Sequence, residues 1–163
     1  RPRHIELLAA FTVQEEVGLR GARVAGYALQ PDLAFALDST PSYDLPVWDG
    51  EENTRYNTRI GAGPAIYTVD GATINDPRLV RFLVETAETR GIPYQFRQPG
   101  GGGTDAGAIH KVRAGVPSVS ISVPGRYAHT AAQITRTADW QHTFQLIFAA
   151  LHGMDRSILA AER

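Results

Sequence analysis

At 163 residues, with 43% hydrophobic and 20% charged side chains, the chain has the size of one soluble globular domain. Such a domain buries roughly two thirds of the surface that its unfolded chain exposes. Sixteen basic and seventeen acidic residues leave a net charge of −1 with no basic block, which argues against nucleic acid or an anionic membrane as partner. Cysteine is absent, so disulfides and thiolate metal sites are excluded, and any metal must be held by Asp, Glu or His. No apolar run approaches the roughly 18 residues that a membrane span needs.

The first element is "IELLAAFT", residues 5–12, near-continuously apolar as expected of a strand covered on both faces. Almost nothing precedes it and the chain starts at Arg1 without a methionine, so the sequence reads as the later part of a longer polypeptide. "VGLRGARVAGYAL" carries a helical signal through Leu19, Ala22, Val24 and Ala25, weakened by Gly21 and Gly26. "LAFAL", residues 33–37, is a second buried strand ending at Asp38, and the strand–helix–strand unit implies a right-handed crossover with parallel strands. Residues 41–60 read as an exposed excursion, and "PAIYTVDG", residues 64–71, as a further strand.

Asp76-Pro77 predicts a helix start, with an N-cap and a proline at the first position; Leu79, Phe82, Leu83 and Ala87 give it an apolar face, and Gly91 closes it. "YQFRQ", residues 94–98, is a short strand leading into "PGGGGTDAGAIHKVRAG", with a helix expected over 106–114. "SVSISV", residues 118–123, alternates strictly, and its serine face is small enough for a helix to cover. The last helix, capped by Thr137 or Asp139, is expected to bury Trp140, Phe144, Ile147 and Leu151. Alternating strands and helices predict an α/β fold: a three-layer α/β/α sandwich around a mixed, mostly parallel sheet, incomplete at its N-terminal side.

In such sheets ligands bind outside the carboxyl ends of the strands. Glu15-Glu16 follow the first strand, Asp38 ends the second, Thr104-Asp105 lie in the glycine loop after "YQFRQ", and His129 follows "SVSISV". Each has an ordinary explanation. An acidic first helical turn accounts for Glu15-Glu16, a turn former for Asp38, and a satisfied loop residue for His129. Their convergence on one edge is what points to chemistry, because a Glu/Asp/His shell without cysteine suits zinc, cobalt or manganese. Metal hydrolysis also gives neighbouring glutamates different work. One binds the cation; the other takes a proton from activated water and delivers it to the departing amine.

Paired glycosidase carboxylates flank a sugar bond from opposite sides, about 5–9.5 Å apart, and that arrangement would leave His129 without a role. The glycine run lacks the Gly-Lys-Ser/Thr of a phosphate loop, and no acidic residue follows about 20 positions on, so nucleotide binding is disfavoured. A glycine loop that admits a substrate backbone fits better.

The stretches "FTVQEEVGLRGA", "ALDST", "GAGPAI", "DPRLVRFLVETAETRGIPYQ", "GGGTDAGAIH" and "RAGVPSVSISVPGRYAHT" together resemble the tetrahedral aminopeptidase family. Its members are dinuclear-metal exopeptidases that include glutamyl, leucyl and deblocking aminopeptidases, some also called endoglucanase M. The match runs from about residue 5 to about residue 153, and is weakest over 41–60. The resemblance implies a metallo-aminopeptidase acting on short peptides, with Glu15 as general base. Glu16 and His129 would bind one metal and Asp38 the other, with two divalent ions in the complete enzyme, zinc or cobalt first and manganese next.

Gly102, Gly103, Thr104 and Asp105 would line the substrate cleft, and His110 would be a packed helix histidine rather than a ligand. A cytoplasmic location and a homo-oligomer of the full-length protein are implied as well. The family's metal pair also uses a histidine and a bridging aspartate from a part of the chain before this one, and its β-rich oligomerisation domain belongs there too. The 163 residues would then be the C-terminal part of a single catalytic domain. His4 does not replace the missing histidine: it lies roughly 26 Å from Thr12 along an extended strand, at about 3.3 Å per residue. The competing readings are a non-catalytic peptide-binding or complementing fragment, and a metal-dependent N-acyl deacylase of the same fold.

Overall fold

The computed structural model describes residues 5–51, 53, 54 and 57–160; His4 lies outside them. In chain order these residues form α1 (Arg20–Leu29), β1 (Ala34–Pro41), β2 (Ala65–Ile66), α2 (Pro77–Arg90) and β3 (Gln95–Phe96). There follow α3 (Ala106–Ile109), β4 (Ser118–Arg126), β5 (Ile134–Thr135), α4 (Thr137–Gly153) and α5 (Ser157–Ala160). The open sheet runs β1-β4-β2-β3, with β5 paired to β4. β1 and β4 are parallel from Ala34 opposite Ser118 to Pro41 opposite Gly125. β2 and β3 are parallel to each other, whereas β2 and β5 each run antiparallel to β4. The sheet is mixed, within the α/β class that the sequence predicts.

β4 explains the layering. Its alternation sends Val119 and Ile121 to one face, where they are buried with Leu79, Leu83 and Ala87 of α2 and Leu146 and Ala150 of α4. Each such aliphatic side chain contributes roughly 1.5–3 kcal/mol on burial. The opposite face carries serines whose hydroxyls are all bonded. Ser118 Oγ donates to Val116 O at 2.9 Å, Ser120 Oγ meets Thr104 Oγ1 at 2.7 Å, and Ser122 Oγ donates to the Tyr67 hydroxyl at 3.0 Å. α3, which follows Thr104 and packs on α1, covers this serine face beside β1 and β4.

α2 begins and ends as predicted. The Asp76 side chain accepts from Arg78 N, Pro77 occupies the first turn, and Gly91 closes the helix in the left-handed region at φ 64°.

Five expectations change. Residues 5–12 form no strand, because no described segment lies alongside to complete a ladder; Phe11 is 100% exposed. The crossover unit expected from that strand is therefore absent. β1 extends to Pro41, which puts Asp38 inside the strand opposite Ser122 rather than at its end. The segments 64–71 and 94–98 keep only two paired residues each, and β3 runs against β4, so its carboxyl end faces away from that of β4. The helix expected over 106–114 stops at Ile109, before the left-handed backbone of Arg113 at φ 57° and Gly115 at φ 99°.

The fifth change is a rotation of α4. Of the expected face, Ile147 packs half-buried against the core and Leu151 is half-buried. The buried stripe, however, is Asp139, Thr143, Leu146 and Ala150, while Trp140 and Phe144 stack with Phe148 in solvent. Asp139 is not the N-cap, which is Arg136. It is 0% exposed and instead accepts from Gly61 N at 2.7 Å and Gly63 N at 2.9 Å, anchoring that loop to the helix.

Candidate active site

The glutamate pair sits on an irregular turn, not in a helix. Gly18 N and Leu19 N donate to Glu15 O at 3.1 and 2.9 Å, and Gly21 N donates to Val13 O at 2.9 Å. Gln14 at φ 60° and Leu19 at φ 56° are in the left-handed region. Gly21 is required where the turn closes, since a Cβ there would stand 2.4 Å from Val13 N. The first turn of α1 carries no acidic residue, so helix-dipole stabilisation does not explain Glu15-Glu16.

His129 comes from the far end of the chain. It follows β4 in a turn where Tyr127 at φ 64° and His129 at φ 60° are both left-handed, a conformation that bulky side chains seldom adopt. That turn brings His129 Nε2 to Glu16 Oε1 at 3.0 Å. Asp38 reaches the same region from mid-β1, in register with the serine face. Asp105, at the start of α3, accepts from the Thr12 hydroxyl, and its Oδ1 is buried without a partner. The glycine loop turns back from β3 to deliver it there, although the strand itself points the other way.

The electrostatics tie these groups together. Burial pushes the Glu15 carboxyl above its ordinary value; Asp38, Glu16 and Asp105 push the same way, and His129 opposes them. Burial likewise raises Asp38, against a 2.7 Å hydrogen bond from Ser39 N, with Asp105 and Glu16 adding to the rise. Glu15, Glu16, Asp38, Asp105 and His129 lie within electrostatic influence of one another, and oxygen and nitrogen donors with excess negative charge are the types that suit a divalent cation. The enclosure is partial. Among the described residues, no group of three or more His, Asp or Glu side chains is placed to hold a metal ion.

The remaining predicted residues divide. Gly102 and Gly103 are exposed, and the loop rests on the 70–73 turn through Gly71 N donating to Gly102 O at 2.9 Å. Thr104 is 1% exposed, with its hydroxyl committed to Ser120 and to Ala106 N, so it holds the loop to β4. His110 donates from Nδ1 to Ala106 O at 2.7 Å, which matches a structural helix histidine.

Sequence reasoning passed over Thr12, the partner of Asp105, and Tyr67, which is buried with its hydroxyl on Ser122. The alternating serines of β4 were the available signal for a polar face that needs partners. It also passed over a cleft of about 280 Å³ beside His129, lined in part by Tyr43, Leu45, Arg126 and Tyr127.

A family model described as M42 glutamyl aminopeptidase matches residues 1–146. A putative aminopeptidase of Acetivibrio thermocellus is 38% identical over 146 residues, spanning 90% of this chain and 43% of that protein. The solved aminopeptidase APDkam598 from the archaeon Desulfurococcus kamchatkensis superposes with a TM-score of 0.85 at 38% identity, covering 91% of this chain and 41% of that one. The Pyrococcus horikoshii TET1 peptidase, which can assemble into a tetrahedron or a large octahedral shell, gives 0.72 at 32% identity, with 88% and 40% covered. The chain thus spans about two fifths of the length of these proteins. On the family match and these likenesses, the chain belongs to the M42 glutamyl aminopeptidase family.

Proposed function

We propose that the chain is the C-terminal part of the catalytic domain of a metallo-aminopeptidase that removes N-terminal residues from short peptides. The observation that carries this reading is the meeting of Glu16 and His129 from opposite ends of the chain, with Glu15, Asp38 and Asp105 in electrostatic reach. Glu16 and His129 would hold one divalent ion and Asp38 a second, with zinc, cobalt or manganese all suited to these donors. Bound there, the ions supply Lewis acidity towards water and the scissile carbonyl.

Glu15 takes the proton of the attacking water and returns it to the departing amine. Its half-buried place among other carboxylates, which lifts its pKa, suits a group that must both accept and release a proton. Gly102 and Gly103 leave room for a substrate backbone along the loop, while Thr104 and Asp105 fix its position. The remaining ligands, a histidine and a bridging aspartate, would come from the part of a family-length protein that this chain does not span. Self-association of the complete protein fits the assemblies of its relative; a cytoplasmic location rests on the resemblance alone.

The test uses Glu15→Gln in the complete protein. Turnover of aminoacyl-nitroanilides should fall by at least about a hundredfold, the low end of a general base's contribution, while metal content stays unchanged. Unchanged turnover would refute the assignment. Robust turnover by purified residues 1–163 alone would refute the claim that the site is shared with another segment.

A further inference from the structure

The cleft beside His129 carries a statement about substrate that the family description does not make. It opens where β1 and β4 end, and His129 forms part of its wall, so it is continuous with the candidate metal site. At about 280 Å³ it is just below the range of small-molecule pockets, about 300–1,000 Å³. That is space for a single side chain rather than a whole peptide.

Its walls are built rather than loose. Asn53 Nδ2 donates to Tyr43 O at 2.6 Å and to Leu45 O at 2.8 Å, which fixes the two residues on either side of Asp44. Asp44 accepts from Ile60 N at 2.9 Å and from Arg126 Nε at 2.7 Å. The side chains of Tyr43, Leu45 and Tyr127 remain exposed, and the lining is mostly apolar. Among the described residues of the wall, the one Lys or Arg is Arg126, and its pairing with Asp44 already neutralises it. An acidic side chain entering the cleft would have to displace Asp44, whereas an aliphatic or aromatic one would cover apolar surface that now faces water.

Resting on the aminopeptidase reading above, we propose that this cleft receives the side chain of the substrate's first residue and selects apolar residues, of the leucine and phenylalanine kind, over acidic ones. Glu16, bonded to the wall residue His129, would supply the negative charge for the substrate's ammonium group.

The test has two arms. In the first, residues 1–163 are titrated with leucinamide, phenylalaninamide and glutamic acid α-amide while backbone NMR signals are followed. The first two should shift Tyr43, Leu45 and Tyr127 with affinity at least about tenfold above that of the third, a difference of about 1.4 kcal/mol. Asp44→Asn, which frees Arg126, should raise the affinity for the glutamic acid amide. Leu45→Lys should do the same without touching the ion pair, and so covers the case in which the first variant fails to fold. Equal shifts by all three ligands, preference for the acidic one, or no shift at the cleft would overturn the proposal.

In the second arm, the complete protein is assayed on the matching nitroanilides. Turnover that depends on Glu15 but favours glutamate overturns the cleft assignment and leaves the aminopeptidase reading standing. Cleft shifts with the apolar preference but without any Glu15-dependent turnover overturn the aminopeptidase reading, and with it the assignment of the cleft to a substrate's first residue, while the apolar preference itself stands.

Discussion

Glu16 and His129 lie 113 positions apart in the chain, yet Oε1 of one and Nε2 of the other are 3.0 Å apart. Both side chains are largely exposed, 70% and 73%. An exposed pair of this kind contributes at most about 1 kcal/mol to folding, so stability does not account for a turn that forces His129 into a left-handed backbone. Glu16→Gln and His129→Ala should leave thermal unfolding unchanged within about 0.5 kcal/mol. Each should weaken zinc or cobalt binding by at least about tenfold, read by isothermal titration. Equal metal affinity in the variants would show that the pair is only a surface contact.

Asp38 makes the converse case. It is held inside β1 among other carboxylates, and burial and those charges both act against its ionised form. With the metal removed by a chelator, Asp38→Asn should therefore stabilise the chain at neutral pH. The midpoint should rise on the order of 2–4 °C, which is what about 1 kcal/mol gives a chain of this size. Adding a divalent ion should raise the midpoint of the original chain and do so less in the variant. Scanning calorimetry with and without the ion reads both effects.

The Asp44–Arg126 pair supplies the pH dependence. Burial alone would raise Asp44, but the Arg126 hydrogen bond and charge and the Ile60 amide outweigh it and hold the carboxyl below its ordinary 3.8. A carboxyl depressed by folding stabilises the native state above its unfolded pKa, and that contribution fades as pH falls through the folded value. Urea unfolding should thus show this share of stability intact at pH 5 and above, declining below about 4. Asp44→Asn should cost about 1–3 kcal/mol at pH 7 and flatten the acid limb of the profile.

Much of this was legible in the residues, and the failures have physical causes. Asp76-Pro77 with Gly91 fixes α2 because capping is a local property of the chain. The strict alternation of β4 gives its two faces directly. The glutamate pair and His129 are singled out in the sequence because polar residues after apolar runs can mark strand ends; that holds for His129 after β4, whereas Glu15-Glu16 follow no strand. The expectation for residues 5–12 failed because strand formation needs a neighbour, and composition cannot say whether one is present. Of the expected α4 face, Ile147 packs against the core but Trp140 and Phe144 do not: two periodic stripes, Asp139-Thr143-Leu146-Ala150 and Trp140-Phe144-Phe148, run side by side, and the more hydrophobic one is outside. A buried aspartate decides between them, because its bonds to Gly61 and Gly63 pull its own stripe inward.

Asp139→Ala should accordingly be one of the most damaging single changes. It leaves the buried Gly63 amide unpaired, at about 1–3 kcal/mol, and releases the part-buried Gly61 amide as well. Gly63→Ala should act on the same loop by another route, since its Cβ would stand 2.2 Å from Pro93 O with the backbone at φ 85°. Denaturant unfolding should place both variants well below the parent, and a loss under about 1 kcal/mol for Asp139→Ala would mean that the loop finds other acceptors.

The two stripes of α4 can be separated by paired substitutions. Leu146 is fully buried against α2 and β4, so Leu146→Ala should cost about 2–5 kcal/mol through lost transfer energy and the cavity left behind. Phe144 is larger and more hydrophobic by composition, but its ring is exposed and touches mainly Trp140 and Phe148 on its own helix. Phe144→Ala should then cost no more than about 1 kcal/mol, the range of an aromatic pair's contribution. Urea melts of the two variants, run on the same chain, read the difference directly. Comparable losses would mean that the exposed aromatic ridge is covered in solution, and the size of the Phe144 effect would measure how firmly.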